Sequence, residues 1–348
     1  MRASTRASVT SAVAGLSAGW IAFALLVWLF GDSPYAVARE LFRGTWGVPY
    51  GVGQVLYKAT PLLLTGVAVD LALRAGLFNI GAEGQLAVAG LAVATVGAHL
   101  PDATPWWLAL PVVLCVAPVA GGVWALFPAF LRARFGAHEV ISTIMMNRIA
   151  DALIGVALAR GLALPGTTRT PDVLAAARLP RLDALGISSL HGSAVSLALP
   201  LALAVTALVA IWLAETRLGR ETVLVGLSPA ACAAEHIPVG RRLGAALVLS
   251  GAVAGLASIA PVIGYKGYYE SGLGAGAGFG GIAVALLGRG SVVGIPLAAL
   301  VLGTLAQGGL VVNGRVPMDI MWILQGVIIV AVALADVRAR RALARQAE

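Results

Sequence analysis

Two glycine-interrupted stretches hold the side chains best suited to handling a polar solute. The first is Arg74-Ala75-Gly76-Leu77-Phe78-Asn79-Ile80-Gly81-Ala82-Glu83-Gly84-Gln85, a polar patch between two apolar runs. Non-helical backbone at membrane depth is tolerated only where protein buries it or where it lines a wet cavity. On that reading Asn79, Glu83 and Gln85 face a cavity and offer amide and carboxylate hydrogen bonds to a polar solute. The other reading is a cytoplasmic turn, with Glu83 favouring the N-terminus of the next helix and Asp70 pairing with Arg74 at i, i+4. The residue types leave both open. The second stretch, Gly272-Leu273-Gly274-Ala275-Gly276-Ala277-Gly278-Phe279-Gly280-Gly281-Ile282, supplies one aromatic face, Phe279, able to stack on a planar ring. Paired glycine-broken segments in the two halves of a chain point to a transport site, although glycines also serve plain helix packing.

Nothing in the chain assembles into a catalytic set. Lysines stand only at Lys58 and Lys266, neither in the setting G-x-x-x-x-G-K-[ST], so the chain has no P-loop. Gly15-Leu16-Ser17-Ala18-Gly19 fits G-x-S-x-G inside an apolar helix, and Gly276 to Gly281 fits G-x-G-x-x-G without a preceding soluble strand. Both lack the context that gives those patterns meaning. His99, His138, His191 and His236 show no metal-ligand spacing, and Cys115 and Cys232 form no CxxC pair. No metal, cofactor or enzymatic activity is expected. A third polar stretch, Thr216 to Arg242, carries Arg217, Arg220, Glu221, Glu235, Arg241 and Arg242 around a short apolar helix, Pro229 to Ala234. It suits either docking on a soluble partner or a plain loop.

The elements that position these residues are membrane helices. Hydrophobic residues make up 59% of the 348 and charged residues 11%, against about 25% charged in a soluble domain. The basic excess of +8 is almost all arginine spread singly between apolar runs, which reads as a topology signal and not as a nucleic-acid surface. A bilayer core asks for about 20 apolar residues per helix. Spans are expected at Ala7 to Gly31 (an uncleaved first helix), Val55 to Leu73, Gln85 to Leu100, Trp106 to Leu131, Val140 to Ala159, Ser193 to Ala214, Leu243 to Ile263, Ile295 to Val312 and Met318 to Ala335. Pro34 to Trp46 reads as an amphipathic segment on the outer surface. Phe279 to Gly288 is too short to span alone and reads as a broken or re-entrant helix. The expectation is therefore an all-α polytopic bundle of about ten passes, forming a single transmembrane domain with a basic tail over residues 336–348. Both termini are expected in the cytoplasm, which puts more than half of the 24 basic residues inside. The loop Gly161 to Gly192 fits that topology least.

The motifs Gly76-Leu-Phe-Asn-Ile-Gly-Ala-Glu-Gly-Gln85, Glu139-Val-Ile-Ser-Thr-Ile-Met-Met-Asn147 and Gly280-Gly-Ile-Ala-Val-Ala-Leu-Leu-Gly-Arg289 resemble the signatures of ABC-importer permeases of the branched-chain amino acid and simple-sugar class, closest to nucleoside-type uptake permeases. The resemblance spans roughly Val55 to Ala335. It implies a transport subunit of the cytoplasmic membrane, held among membrane lipids, that pairs with a second, paralogous permease. A cytoplasmic ATPase with two fused nucleotide-binding halves would supply energy, and a lipoprotein or periplasmic binding protein would deliver substrate. It implies a substrate pathway past Asn79, Glu83, Gln85, Asn147 and Phe279, where amides and a carboxylate would meet ribose hydroxyls or base edges. It also implies a coupling helix bearing Gly226, Pro229, Ala230, Ala231, Glu235 and Ile237. The chain departs from the family pattern at Val223-Leu224, Ser228 and His236, and at His138 and Arg148. A simple-sugar permease is the runner-up, and a channel or structural membrane protein without an ATPase stands behind it.

Overall fold

The computed structural model describes residues 17–274 and 276–345. The first ten residues of the expected first span, and the start of the G-x-S-x-G pattern, lie outside them. From Ser17 the chain forms α1 (Ser17–Leu29), then turns by 114° into α2 (Pro34–Thr45). Ser33 caps α2 and Pro34 starts it, a favoured pairing at a helix N-terminus. Val37 and Thr45 are the buried positions of this amphipathic helix.

Next come α3 (Pro49–Arg74), α4 (Ala82–Ala98), α5 (Trp106–Phe135) and α6 (Glu139–Ala157). After a long connection follow α7 (Ala198–Glu215), α8 (Arg217–Leu227), α9 (Pro229–Ala234) and α10 (Val239–Leu256). The last runs on through α11 (Ile259–Pro261) and a π-helical turn to Lys266. The chain closes with α12 (Ala277–Gly288), α13 (Gly294–Val312) and α14 (Asp319–Arg345). No strand forms among the described residues, only two isolated bridges. The protein is an all-α, polytopic membrane bundle of about ten passes. Among the described residues six helices are long and apolar enough to cross alone, while α4 and α12 are short.

Several bounds differ from the sequence expectation for local reasons. α7 starts at Ala198 and not at Ser193, because Ser196 bridges to Arg181 and holds the preceding residues in the connection. α14 runs to Arg345, well into the stretch expected as a tail, where alanine and arginine are strong helix formers. α5 persists to Phe135 despite three internal prolines and ends on Gly136, whose φ of +65° suits glycine.

Helix contact relies on small residues. A side-chain carbon on Gly121 of α5 would lie 2.3 Å from the Gly251 carbonyl of α10, and one on Gly255 would lie 2.3 Å from the Ala117 carbonyl. Such close approach lets backbones pack where lipid provides no hydrophobic drive between helices. The bundle has two distinct ends. One carries α2 and the 158–197 connection, pinned by an isolated backbone β-bridge between Arg169 and Glu270 and by Leu179 donating to the Ile263 carbonyl at 3.0 Å. The other, rich in arginine, carries Arg74, Arg132, α8, α9 and Gly290.

Candidate functional site

The two glycine-interrupted stretches and the 139–147 motif converge inside the bundle. Glu83, in the first turn of α4, reaches the N-terminus of α12. Its Oε1 accepts the Gly276 amide at 2.6 Å, while Oε2 accepts Gly278 at 2.8 Å and Phe279 at 3.3 Å. These are orphan donors of a helix start, and the helix dipole there favours a carboxylate. Gly272, Gly274 and Gly276 take φ of +83°, +80° and +86°, which bends the chain back into the bundle before α12 begins. Thr65 of α3 ties the same turn by donating to the Ala277 carbonyl at 2.8 Å.

Behind Glu83 lies a closed amide network. Asn79 Nδ2 donates to Gln85 Oε1 at 2.9 Å and to Ser250 Oγ at 2.8 Å, and Asn79 Oδ1 accepts the Gly81 amide at 3.0 Å. Ser250 in turn donates to the Ala68 carbonyl. Asn147, from α6, accepts the Gly84 amide and donates to the Ile80 carbonyl, both at 2.9 Å. This fastens the start of α4 on two sides.

Asn79 and Gln85, expected to face a cavity, are 0% and 1% exposed and are occupied by each other. Buried amides in an apolar bundle need such partners, since each unmade hydrogen bond costs about 1–3 kcal/mol. Asn147 is likewise buried, Glu83 is half-buried and Phe279 is exposed. Elements of both readings of the first stretch coexist: Leu77, Asn79 and Gly81 are buried in protein while Gly76 is exposed, and Asp70 also pairs with Arg74 at 2.8 Å. Arg74 additionally donates to the Gly290 carbonyl, linking α3 to the far end of α12.

At the arginine-rich end, α9 begins where the sequence places it, with Ser228 accepting the Ala231 amide at 3.3 Å. The preceding α8 is an amphipathic helix that the residue pattern does not announce. Glu221 anchors it, its Oε1 accepting from Arg217 and its Oε2 from Arg242, both at 2.7 Å. The Arg217 hydrogen bond, with Arg242 beside it, holds the Glu221 carboxyl below the usual carboxylate range even though burial opposes this. Gly226 sits on the turn before α4: a side-chain carbon there would stand 2.1 Å from the Arg74 carbonyl. Pro229, Ala230, Ala231 and Glu235 are exposed and Ile237 half-exposed, so this segment presents a face with no partner among the described residues.

Sequence reasoning misses three contributors. Ser250 and Thr65 lie in apolar helices with nothing to mark them. Glu139 accepts the Phe78 amide at 3.4 Å and sits 3.5 Å from Arg132; its motif is visible in the sequence, its contact is not. Lys58, a lone lysine in an apolar run, is the legible signal of a cavity of about 270 Å³ between α3, α14 and the glycine loop.

A bundle of apolar helices long enough to cross a membrane, with two short helices meeting N-terminus to N-terminus inside it, defines a polytopic membrane protein. The family model described as branched-chain amino acid transport system / permease component matches residues 51–333, and the chain belongs to that family. It is 36% identical to the guanosine ABC transporter permease protein of Bacillus subtilis (strain 168), over 92% of this chain and 90% of that one. It is 30% identical to a nucleoside ABC transporter permease protein of Lactococcus lactis subsp. cremoris, over 91% and 88%. The glucose ABC transporter permease protein of Haloferax volcanii is 34% identical over 92% and 85%. No solved structure matches the chain. The protein is therefore a multi-pass permease subunit of the cytoplasmic membrane, working with an ATPase and a substrate-binding partner; ATP hydrolysis belongs to the separate ATPase.

Proposed function

We propose that this chain is the permease subunit of an ABC importer for nucleosides. The observation that carries the substrate is the near full-length likeness to two relatives named for guanosine and nucleoside transport. A second paralogous permease completes the pathway, and an ATPase with two fused nucleotide-binding halves docks on the arginine-rich end. Both termini and α8–α9 lie in the cytoplasm, a reading supported by the arginines of that end. A single transmembrane permease domain accounts for the whole chain.

In this mechanism Glu83 and Phe279 border the pathway, while Asn79, Gln85 and Asn147 hold the wall behind them. ATP binding moves the coupling segment from Gly226 through Pro229, Ala230, Ala231 and Glu235 to Ile237. The Gly226 contact passes that motion to the turn before α4, and Glu83 passes it to α12. The experiment is ATP-dependent uptake of labelled nucleosides by cells lacking their own systems, expressing the chain with its permease, ATPase and binding-protein partners. Uptake abolished by an inactive ATPase supports the reading; no nucleoside uptake overturns it. A sugar permease is the second reading, favoured by the glucose-transporter relative, and labelled pentoses and glucose in the same assay decide between them.

A further inference from the structure

The polar side chains of the central layer are all engaged by protein, but those of the 270 Å³ cavity are not. It opens between α3, the glycine loop and α14, lined among others by Tyr57, Lys58, Gly276, Trp322 and Gln325. Lys58 lies nine residues into α3, about 13 Å along the helix from its start. Lys58 thus lies inside a helix long and apolar enough to cross a membrane, and Gln325, six residues into α14, inside a shorter apolar one. Among the described residues, no hydrogen bond or ion pair reaches the Lys58 ammonium, the Tyr57 hydroxyl or the Gln325 amide. The carboxylate that reaches the glycine loop, Glu83, is spent on the amides of residues 276, 278 and 279.

An ammonium without a counter-ion at this depth marks a functional site, and a pocket joining an aromatic wall to a few convergent polar groups is the usual form of a small-molecule site. Trp322 supplies the wall. Its ring edge lies over the glycine loop, 2.9 Å from where a side-chain carbon on Gly276 would stand, so that position must stay glycine for the ring to lie there. Tyr57, whose ring packs against Tyr265 with centroids 5.1 Å apart, also lines the cavity.

We propose that this pocket is a nucleobase site in which Lys58 selects bases carrying an exocyclic oxygen. The inference rests on the reading of the chain as a nucleoside permease. Lysine donates only. Guanine and the oxo-pyrimidines present an oxygen acceptor where adenine and cytosine present an amino donor. The oxygen accepts from Lys58, whereas the amino group sets a donor against a donor. Gln325 has both a donor and an acceptor and adapts to the adjoining ring nitrogen. Trp322 stacks on the ring face, a contact indifferent to base identity. Selection therefore falls to Lys58.

The test uses the assembled transporter with its ATPase and binding protein. 4-Thiouridine, which carries its photoreactive sulfur at the exocyclic position, is irradiated with the purified complex, and the crosslinked peptide is mapped. The expected product joins residues 57–58 or 322–325, and excess uridine suppresses it while cytidine does not. In uptake, Lys58→Met lowers initial rates for uridine and guanosine about ten-fold or more, the scale of one lost charge-assisted hydrogen bond, at unchanged complex abundance and basal ATPase rate. Lys58→Arg, which keeps the cation, retains most of the rate. Nucleoside uptake with crosslinks mapping elsewhere, or with Lys58→Met and Gln325→Leu both unchanged, overturns the pocket. Absence of ATP-driven nucleoside uptake by the unmodified complex overturns instead the functional reading beneath it.

Discussion

Glu83 accepts the Gly278 amide at 2.8 Å, and a side-chain carbon on Gly278 would lie only 2.3 Å from the Glu83 nitrogen. The two short helices thus meet backbone to backbone, and the carboxylate joins the N-termini of both. Each of its oxygens serves an amide, so Glu83→Gln must turn its NH2 group toward an N–H whichever way it flips. A hydrogen bond to a charged group contributes about 1.5–3 kcal/mol. Initial uptake by Glu83→Gln should fall about ten-fold or more at equal membrane abundance; uptake equal to wild type would show that transport does not depend on the carboxylate.

Gly226→Ala should separate motion from folding. The added carbon meets the Arg74 carbonyl at 2.1 Å, and backbone yields less readily than a side-chain tip. Overpacking of this kind costs about 1–3 kcal/mol. The expected outcome is a lower thermal midpoint in detergent and ATPase activity less responsive to loaded binding protein, checked on purified complexes.

Ala231 lies on the exposed face of α9, so Ala231→Arg should leave the fold intact. Uptake should be lost because the ATPase no longer seats. Co-purification of the ATPase with tagged permease measures this directly, and a full yield of ATPase would remove α9 from the docking surface.

Glu221 gives a pH dependence of known sign. Its carboxyl is held below the ordinary value of 4.5 in the folded protein, Arg217 first and Arg242 after it. A depressed folded pKa contributes stability that is present above the unfolded value and is lost as pH falls through the folded one. Glu221→Gln should therefore melt below wild type at neutral pH, with the two curves converging as the medium is acidified below 4.5. A constant gap across that window would mean that the charge is not what holds α8.

How much can be read from the residues depends on the range of the interaction. α9 is legible because Ser228, Pro229 and a short apolar run are local start signals. α12 is legible because glycines precede a run too short to span. α8 escapes because its single buried carboxylate, Glu221, finds one partner four residues upstream but the other on α10. The candidate site is legible in its residue types and not in their targets. Asn79 and Gln85 carry polar groups that suit a wet cavity or an internal lock equally well, and only Ser250, 171 residues on, decides for the lock.

The bond between Glu83 and Gly276 spans 193 residues. A chain entering the bilayer in order of synthesis therefore makes α4 long before the glycine loop that receives its carboxylate exists. At about 5–20 residues per second this interval lasts roughly 10–40 s. During it the Glu83 carboxyl in the first turn of α4 lacks the amides of residues 276, 278 and 279, so it should keep access to water until α12 arrives. Biogenesis of this subunit thus has a late step, and a chain truncated before residue 276 should leave α4 accessible to water-borne thiol reagents at an engineered cysteine, where the full chain shields it.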